Sequence, residues 1–146
     1  MKITYKGDYA LKAILDLARH YSSEPITIHD IAKRIDAPVK FLEQVLLELK
    51  RGGFIESRRG KVGGYLLSRP PDKITVGEII RFMDGPIEPI SCVKQGYSGC
   101  GDLYKCAFRN IWQQVFKATS EIVDRITFED LVAQIDSAQQ VLSYTI

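Results

Sequence analysis

The stretch from Thr27 to Leu67 constrains the fold most, because several local signals follow one another there in a fixed order. Thr27 with Asp30 three residues on resembles a capping box, and Ile28, Ile31, Ala32 and Ile35 form one apolar face behind it. Asp36-Ala37-Pro38 makes a tight turn. A second helix is predicted over about residues 39–51, with Leu42, Val45, Leu46 and Leu49 inward, and Gly52-Gly53 stops it. Residues 54–57 and 64–67 then read as two strands joined by Arg58-Arg59-Gly60-Lys61-Val62-Gly63, a loop with three cations. The first two helices alone would fit a generic helical core. A cationic hairpin directly after them favours a helix-turn-helix followed by a wing, whose glycines permit the turn and whose arginines suit phosphates or a narrow minor groove.

The flanking sequence completes a small domain. Tyr9, Ala10, Ala13, Ile14, Leu17, Ala18 and Tyr21 make one stripe of a helix predicted over about residues 4–21, with Asp8 in its opening turns, where the helix dipole favours a carboxylate. Ser22-Ser23-Glu24-Pro25 breaks that helix. After Pro70-Pro71, Thr75 is predicted to cap a helix over residues 76–83 that packs back on the core. Residues 1–83 are thus predicted to form a winged helix-turn-helix DNA-binding domain.

Beyond an irregular segment over residues 84–106, Phe108, Ile111, Trp112, Val115, Phe116, Thr119, Ile122, Val123 and Ile126 recur at steps of three and four. A helix of about 20 residues is about 30 Å long, too long to bury its stripe on an eighty-residue domain. A seam with a second copy over residues 107–126 suits it, with packing inside one chain as the alternative. Thr127-Phe128-Glu129-Asp130 starts a short last helix, so that residues 127–146 are predicted to pack back on the winged domain. The fold class expected is mainly α with a small β-hairpin, a winged helix-turn-helix plus a long dimerisation helix.

Charge divides the same way. Residues 1–70 carry 13 Lys and Arg against 8 Asp and Glu, whereas residues 71–146 carry 7 against 10. The N-terminal half is therefore the better partner for a polyanion. No apolar run approaches the roughly 20 residues that span a bilayer, and MKITYKGDYALKAIL lacks the apolar block of a signal peptide. The expected location is the cytoplasm, with no membrane partner. No nucleophile–base pair, phosphate loop or paired-carboxylate motif points to an enzyme.

All three cysteines fall within fifteen residues, Cys92-x7-Cys100-x5-Cys106, in a polar, glycine-containing segment. An odd number in a reducing compartment argues against a disulfide framework and for metal or redox chemistry. The spacing differs from the Cys-x2-4-Cys pairs of common zinc sites, which leaves structural zinc the runner-up. Thiolates are the usual ligands of iron–sulfur clusters, which normally take four.

The opening KGDYALKAILDLA, the segment IAKRIDAPVKFLEQVLLELKRGGFIESRRG, GGYLL, ITVGEIIRFMDG, the three cysteines and the closing ITFEDLV resemble the Rrf2 family of bacterial transcription regulators over nearly the whole chain. The resemblance implies a homodimer crossed by long helices, reading a pseudo-palindromic DNA operator, with an iron–sulfur cluster on Cys92, Cys100 and Cys106. Members resembling the regulator of cluster biogenesis place a histidine three residues after the third cysteine; here Arg109 stands there and cannot ligate. Nitric-oxide-sensing members take an aspartate from the partner's first helix, and Asp8 stands at that place, with Glu88 and Asp102 as weaker candidates. The missing histidine favours a four-iron (4Fe-4S) over a two-iron (2Fe-2S) cluster. On this reading nitric oxide, redox state or iron and cluster supply would be sensed; a metal-free thiol regulator and a regulator acting through a protein partner are the alternatives.

Thr4, Lys6, Thr27, Lys40 and Lys61 are expected at phosphates, which position without specifying sequence. At the start of the second reading helix, Gln44 suits adenine, Glu43 accepts from cytosine, and Phe41 suits a thymine methyl, with Val39 beside them. Arg58, Arg59 and Gly60 complete the candidate DNA surface.

Overall fold

A computed structural model describes residues 1–145, and within them the chain forms six α-helices and one two-stranded antiparallel sheet. In chain order these are α1 (Tyr5–Arg19), α2 (Ile28–Ile35), α3 (Val39–Arg51), β1 (Ile55–Arg58), β2 (Gly64–Leu67), α4 (Val76–Asp84), α5 (Arg109–Arg125) and α6 (Phe128–Tyr144). Single 3-10 turns occupy Pro71–Lys73 and Ser91–Val93. The fold is the mainly helical winged helix-turn-helix that the sequence implies.

Caps set the helix starts. Thr4, Thr27, Thr75 and Thr127 each accept from a backbone N–H three residues on, and Thr75–Glu78 and Thr127–Asp130 are complete capping boxes. Asp36 ends α2 in the left-handed region (φ 52°), which turns the chain into α3 within three residues. The apolar faces of α1, α2 and α3 meet in one core: Ala13, Ile14, Ile31, Leu42, Val45, Leu46 and Leu49 are inaccessible to solvent, and Ile79 of α4 and Phe128 of α6 close it.

The hairpin pairs Ile55 with Leu67 through Arg58 with Gly64. Ile26 adds a bridge to Tyr65, with bonds of 2.9 and 2.8 Å that fasten the wing to the loop between α1 and α2. Gly64 lies so near that a Cβ there would sit 2.3 Å from the Ile26 carbonyl oxygen. β1 therefore begins one residue later than the sequence suggested and takes in Arg58, while Phe54 is a buried core residue just before it.

Three boundaries differ from expectation. Tyr21 lies beyond α1 and is exposed, and the helix closes with the backbone N–H of His20 on the Asp16 carbonyl and that of Tyr21 on the Ala18 carbonyl. α5 starts at Arg109, and most of its stripe is bare: Phe108 is 63% and Ile122 52% exposed, whereas Val123 is buried. The last helix is not short. α6 has 17 residues, as many as α5; its first turns pack on α1, while Val141, Leu142 and Tyr144 stand exposed at its far end. Among the described residues no helix is long and apolar enough to cross a membrane.

Candidate functional site

The turn at Asp36 presents the start of α3 on the surface. Lys40, Glu43 and Gln44 are exposed there, while Leu42, Val45 and Leu46 on the opposite side anchor the helix. Val39 and Phe41 are half-buried; Phe41 meets Tyr9 edge to face at 5.4 Å, so α1 fixes its ring. Thr27 is exposed, but its hydroxyl is engaged with Asp30 as the cap of α2. Lys6 pairs with Glu48 at 2.7 Å. Both groups are more than a third exposed, so the pair is weak enough to exchange for a phosphate.

The wing separates its two arginines. Arg58 donates to the Ser23 carbonyl at 3.0 Å and lies 3.8 Å from Glu56, which makes it a strut between hairpin and α1–α2 loop. Arg59, Gly60 and Lys61 form the exposed tip. Thr4 is also committed elsewhere: its N–H donates to Asp84 Oδ2 at 3.0 Å and its hydroxyl donates to Asp84 Oδ1. The expected phosphate contact is thus in this structure the link between α1 and α4.

The cysteine segment follows α4 directly. Cys92 is half-buried in the turn Ser91–Val93, whereas Cys100 and Cys106 are exposed; all three are free thiols. Arg109 Nε donates to the Cys92 carbonyl at 3.4 Å, which ties the start of α5 to that turn. The Asp102 carbonyl accepts from the N–H groups of Lys105 and Cys106, both at 2.9 Å. Among the described residues no three His, Cys, Asp or Glu side chains stand together as a metal site. Asp8 is half-exposed and paired with Lys12 at 2.6 Å, a bond that raises the lysine's pKa. Glu88 Oε2 is buried without a hydrogen-bond partner. Two exposed thiols and a half-buried one on a loop held by a few turn bonds fit thiolate ligation chemically, provided the loop closes and a further donor comes from outside it.

Sequence reasoning missed the polar ties between elements. Asp16, only 6% exposed, takes two bonds from Arg34 at 2.8 and 2.9 Å, which join α1 to α2 and raise the pKa of Arg34. Arg81 donates from both Nη atoms to Asp124, joining α4 to α5. Arg69 donates to Glu78 at 3.3 Å, joining the end of the wing to α4. No spacing rule reveals them, since the partners lie 9 to 80 residues apart.

Comparison with known proteins gives one picture. The Rrf2 family model, described as an iron-dependent transcriptional regulator, matches residues 3–134. A putative HTH-type transcriptional regulator, rrf2-like, from Rhodobacter capsulatus is 38% identical over 96% of this chain and 98% of its own. The structure of CymR, the global cysteine regulator of B. subtilis, superposes with a TM-score of 0.78 at 34% identity, covering 92% of this chain and 98% of that one. IscR of T. potens superposes with a TM-score of 0.75 at 33% identity, covering 95% and 91%.

Proposed function

The chain belongs to the Rrf2 family of DNA-binding transcriptional regulators, and from that premise we propose that it is a homodimer whose grip on its operator is set by the loop carrying Cys92, Cys100 and Cys106. Its relatives are transcription regulators and not enzymes. The observation that carries the reading is position. The three thiols lie between α4, which is tied to the start of α1, and α5, whose apolar face is bare.

In the dimer the exposed faces around Ile111, Trp112 and Val115 cover one another, and the two winged heads meet half-sites about one helical turn apart. Glu43 and Gln44 read base edges from α3, Lys40 and Lys61 hold phosphates, Thr27 joins them by turning its hydroxyl from Asp30, and Arg59 enters the minor groove from the wing tip. Arg58 keeps the wing at its angle through Ser23. Lys6 reaches a phosphate by leaving Glu48.

The three-thiol donor set and the family's description as iron-dependent support an iron–sulfur cluster held by Cys92, Cys100 and Cys106. Asp8 of a second copy, released from Lys12, is the fourth donor, and the four-iron form is favoured. When bound, the group supplies an iron with one weak ligand, open to nitric oxide or oxygen. This chain's residues order the loop, through Arg109 on the Cys92 carbonyl and Val93 buried behind it. Anaerobic reconstitution with ferrous iron and sulfide tests this. Visible charge-transfer absorbance, a cluster signature in Mössbauer spectra and loss of both in Cys100→Ala are expected; a colourless protein that takes up no iron contradicts it.

A metal-free thiol switch is the second reading, favoured by the exposure of Cys100 and Cys106. Two thiols and one hydrogen peroxide would give a disulfide and two waters. A peroxide-dependent loss of two thiols, with no uptake of iron, selects it.

A further inference from the structure

The cysteine loop has to reach the reading helix, and α4 touches every part concerned. At its first turn Glu78 accepts from Arg69, whose guanidinium lies 5.5 Å over the Phe54 ring. Phe82 meets Phe54 edge to face at 5.3 Å, just beyond the end of α3. The last residue, Asp84, accepts from the N–H and hydroxyl of Thr4. A Cβ at Gly7 would fall 2.1 Å from Asp84 Oδ2, so only glycine admits the carboxylate against α1.

On its other side α4 meets α5 and the loop together. Arg81 grips the Asp124 carboxylate through both Nη atoms, and Ile87 is buried with Ile80 and Val123 beside that pair. Glu88, the next residue, carries a buried oxygen with no donor. The bonds that Arg81 donates to Asp124 are the main cause that raises its pKa, and the charge of Glu88 adds to it. One cation thus holds the Asp124 carboxylate and feels the charge of a second, Glu88, one oxygen of which is buried without a donor. A buried acceptor without a donor is unfavourable, so a modest rearrangement of the loop has an arrangement to move towards.

We propose that Arg81 is a two-position joint: it holds Asp124 when the cysteine loop is open and passes to Glu88 when the loop closes on its ligand or oxidises, so that α4 shifts Asp84 against α1 and Phe82 behind α3. Arg81, Glu88 and Asp84 are positioning residues for operator binding. The proposal rests on the reading that the state of the loop governs operator affinity. It adds the element with two arrangements that such coupling requires.

The test uses a duplex obtained by selection from a random-sequence pool. Binding is measured for metal-free protein with thiols reduced by a phosphine and for protein reconstituted anaerobically with ferrous iron and sulfide. Hydrogen exchange at Gly7 is followed in both states. The wild type is expected to differ between states by about 5- to 150-fold. Glu88→Gln is expected to bring that ratio close to one and to abolish the change in exchange at Gly7. Asp124→Asn, which frees Arg81, is expected to move the metal-free affinity towards the loaded value. A Glu88→Gln protein that loads iron fully and keeps the wild-type ratio overturns the joint. One that fails to load iron assigns Glu88 to ligation and also overturns it. A wild type with equal affinities overturns the reading of the loop, and the joint with it.

Discussion

At the scale of the residue, the wing separates a structural cation from the ones at its exposed tip. Arg58 spends its guanidinium on the Ser23 carbonyl, whereas Arg59 stands at the exposed tip. Arg59→Ala is therefore expected to weaken operator binding and lower the slope of log affinity against log salt by about one, with the melting temperature unchanged. Arg58→Ala should instead loosen the wing, seen as faster hydrogen exchange at Ile26 and Tyr65. Equal effects of the two would contradict the division. The sequence offered both arginines as one pair, because nothing within six residues of Arg58 announces the carbonyl 35 residues upstream. The same holds for Thr4. The sequence offered it only as a phosphate contact, and neither its cap on the Gly7 N–H nor its bonds to Asp84 were read there.

At the scale of the element, the starts at Thr27, Thr75 and Thr127 were legible because caps are local, whereas α5, which has no side-chain cap, and the helix ends were less so. Thr127 shows the gain and the limit. The capping box was readable from four residues, yet the length of α6 was not, since its far half lies exposed, with Val141, Leu142 and Tyr144 bare. The backbone N–H of Thr127, and then its hydroxyl, hold the Asp130 carboxyl below its usual pKa. A lowered folded-state pKa means the cap stabilises fully above about pH 4 and fades as the pH falls through the lowered value. Asp130→Asn is expected to flatten the acid limb of a plot of melting temperature against pH; an unchanged limb would place the acid sensitivity elsewhere. Phe128, inaccessible to solvent where α6 closes the core, should cost about 3–5 kcal/mol when changed to alanine, as measured by urea unfolding.

At the scale of the whole molecule, a reading head with its own core carries two long helices on which several large apolar residues, Ile111, Val115 and Ile122 of α5 and Val141 and Leu142 of α6, stay bare. The periodicity of α5 was visible in the sequence, and so was its excess over what a small domain can bury. Ile111→Glu with Val115→Glu is expected to give a monomer by sedimentation velocity and to weaken operator binding by about a hundredfold or more, since the two heads no longer share one binding event. A dimer that survives both changes would place the seam elsewhere. The central claim is that the loop of Cys92, Cys100 and Cys106 sets how firmly the two heads hold DNA. Its most direct test is fluorescence anisotropy of one operator duplex, titrated at fixed salt with iron-loaded protein and with metal-free, thiol-reduced protein from the same preparation. Dissociation constants about 5- to 150-fold apart are expected, whereas two superimposable binding curves would contradict the account.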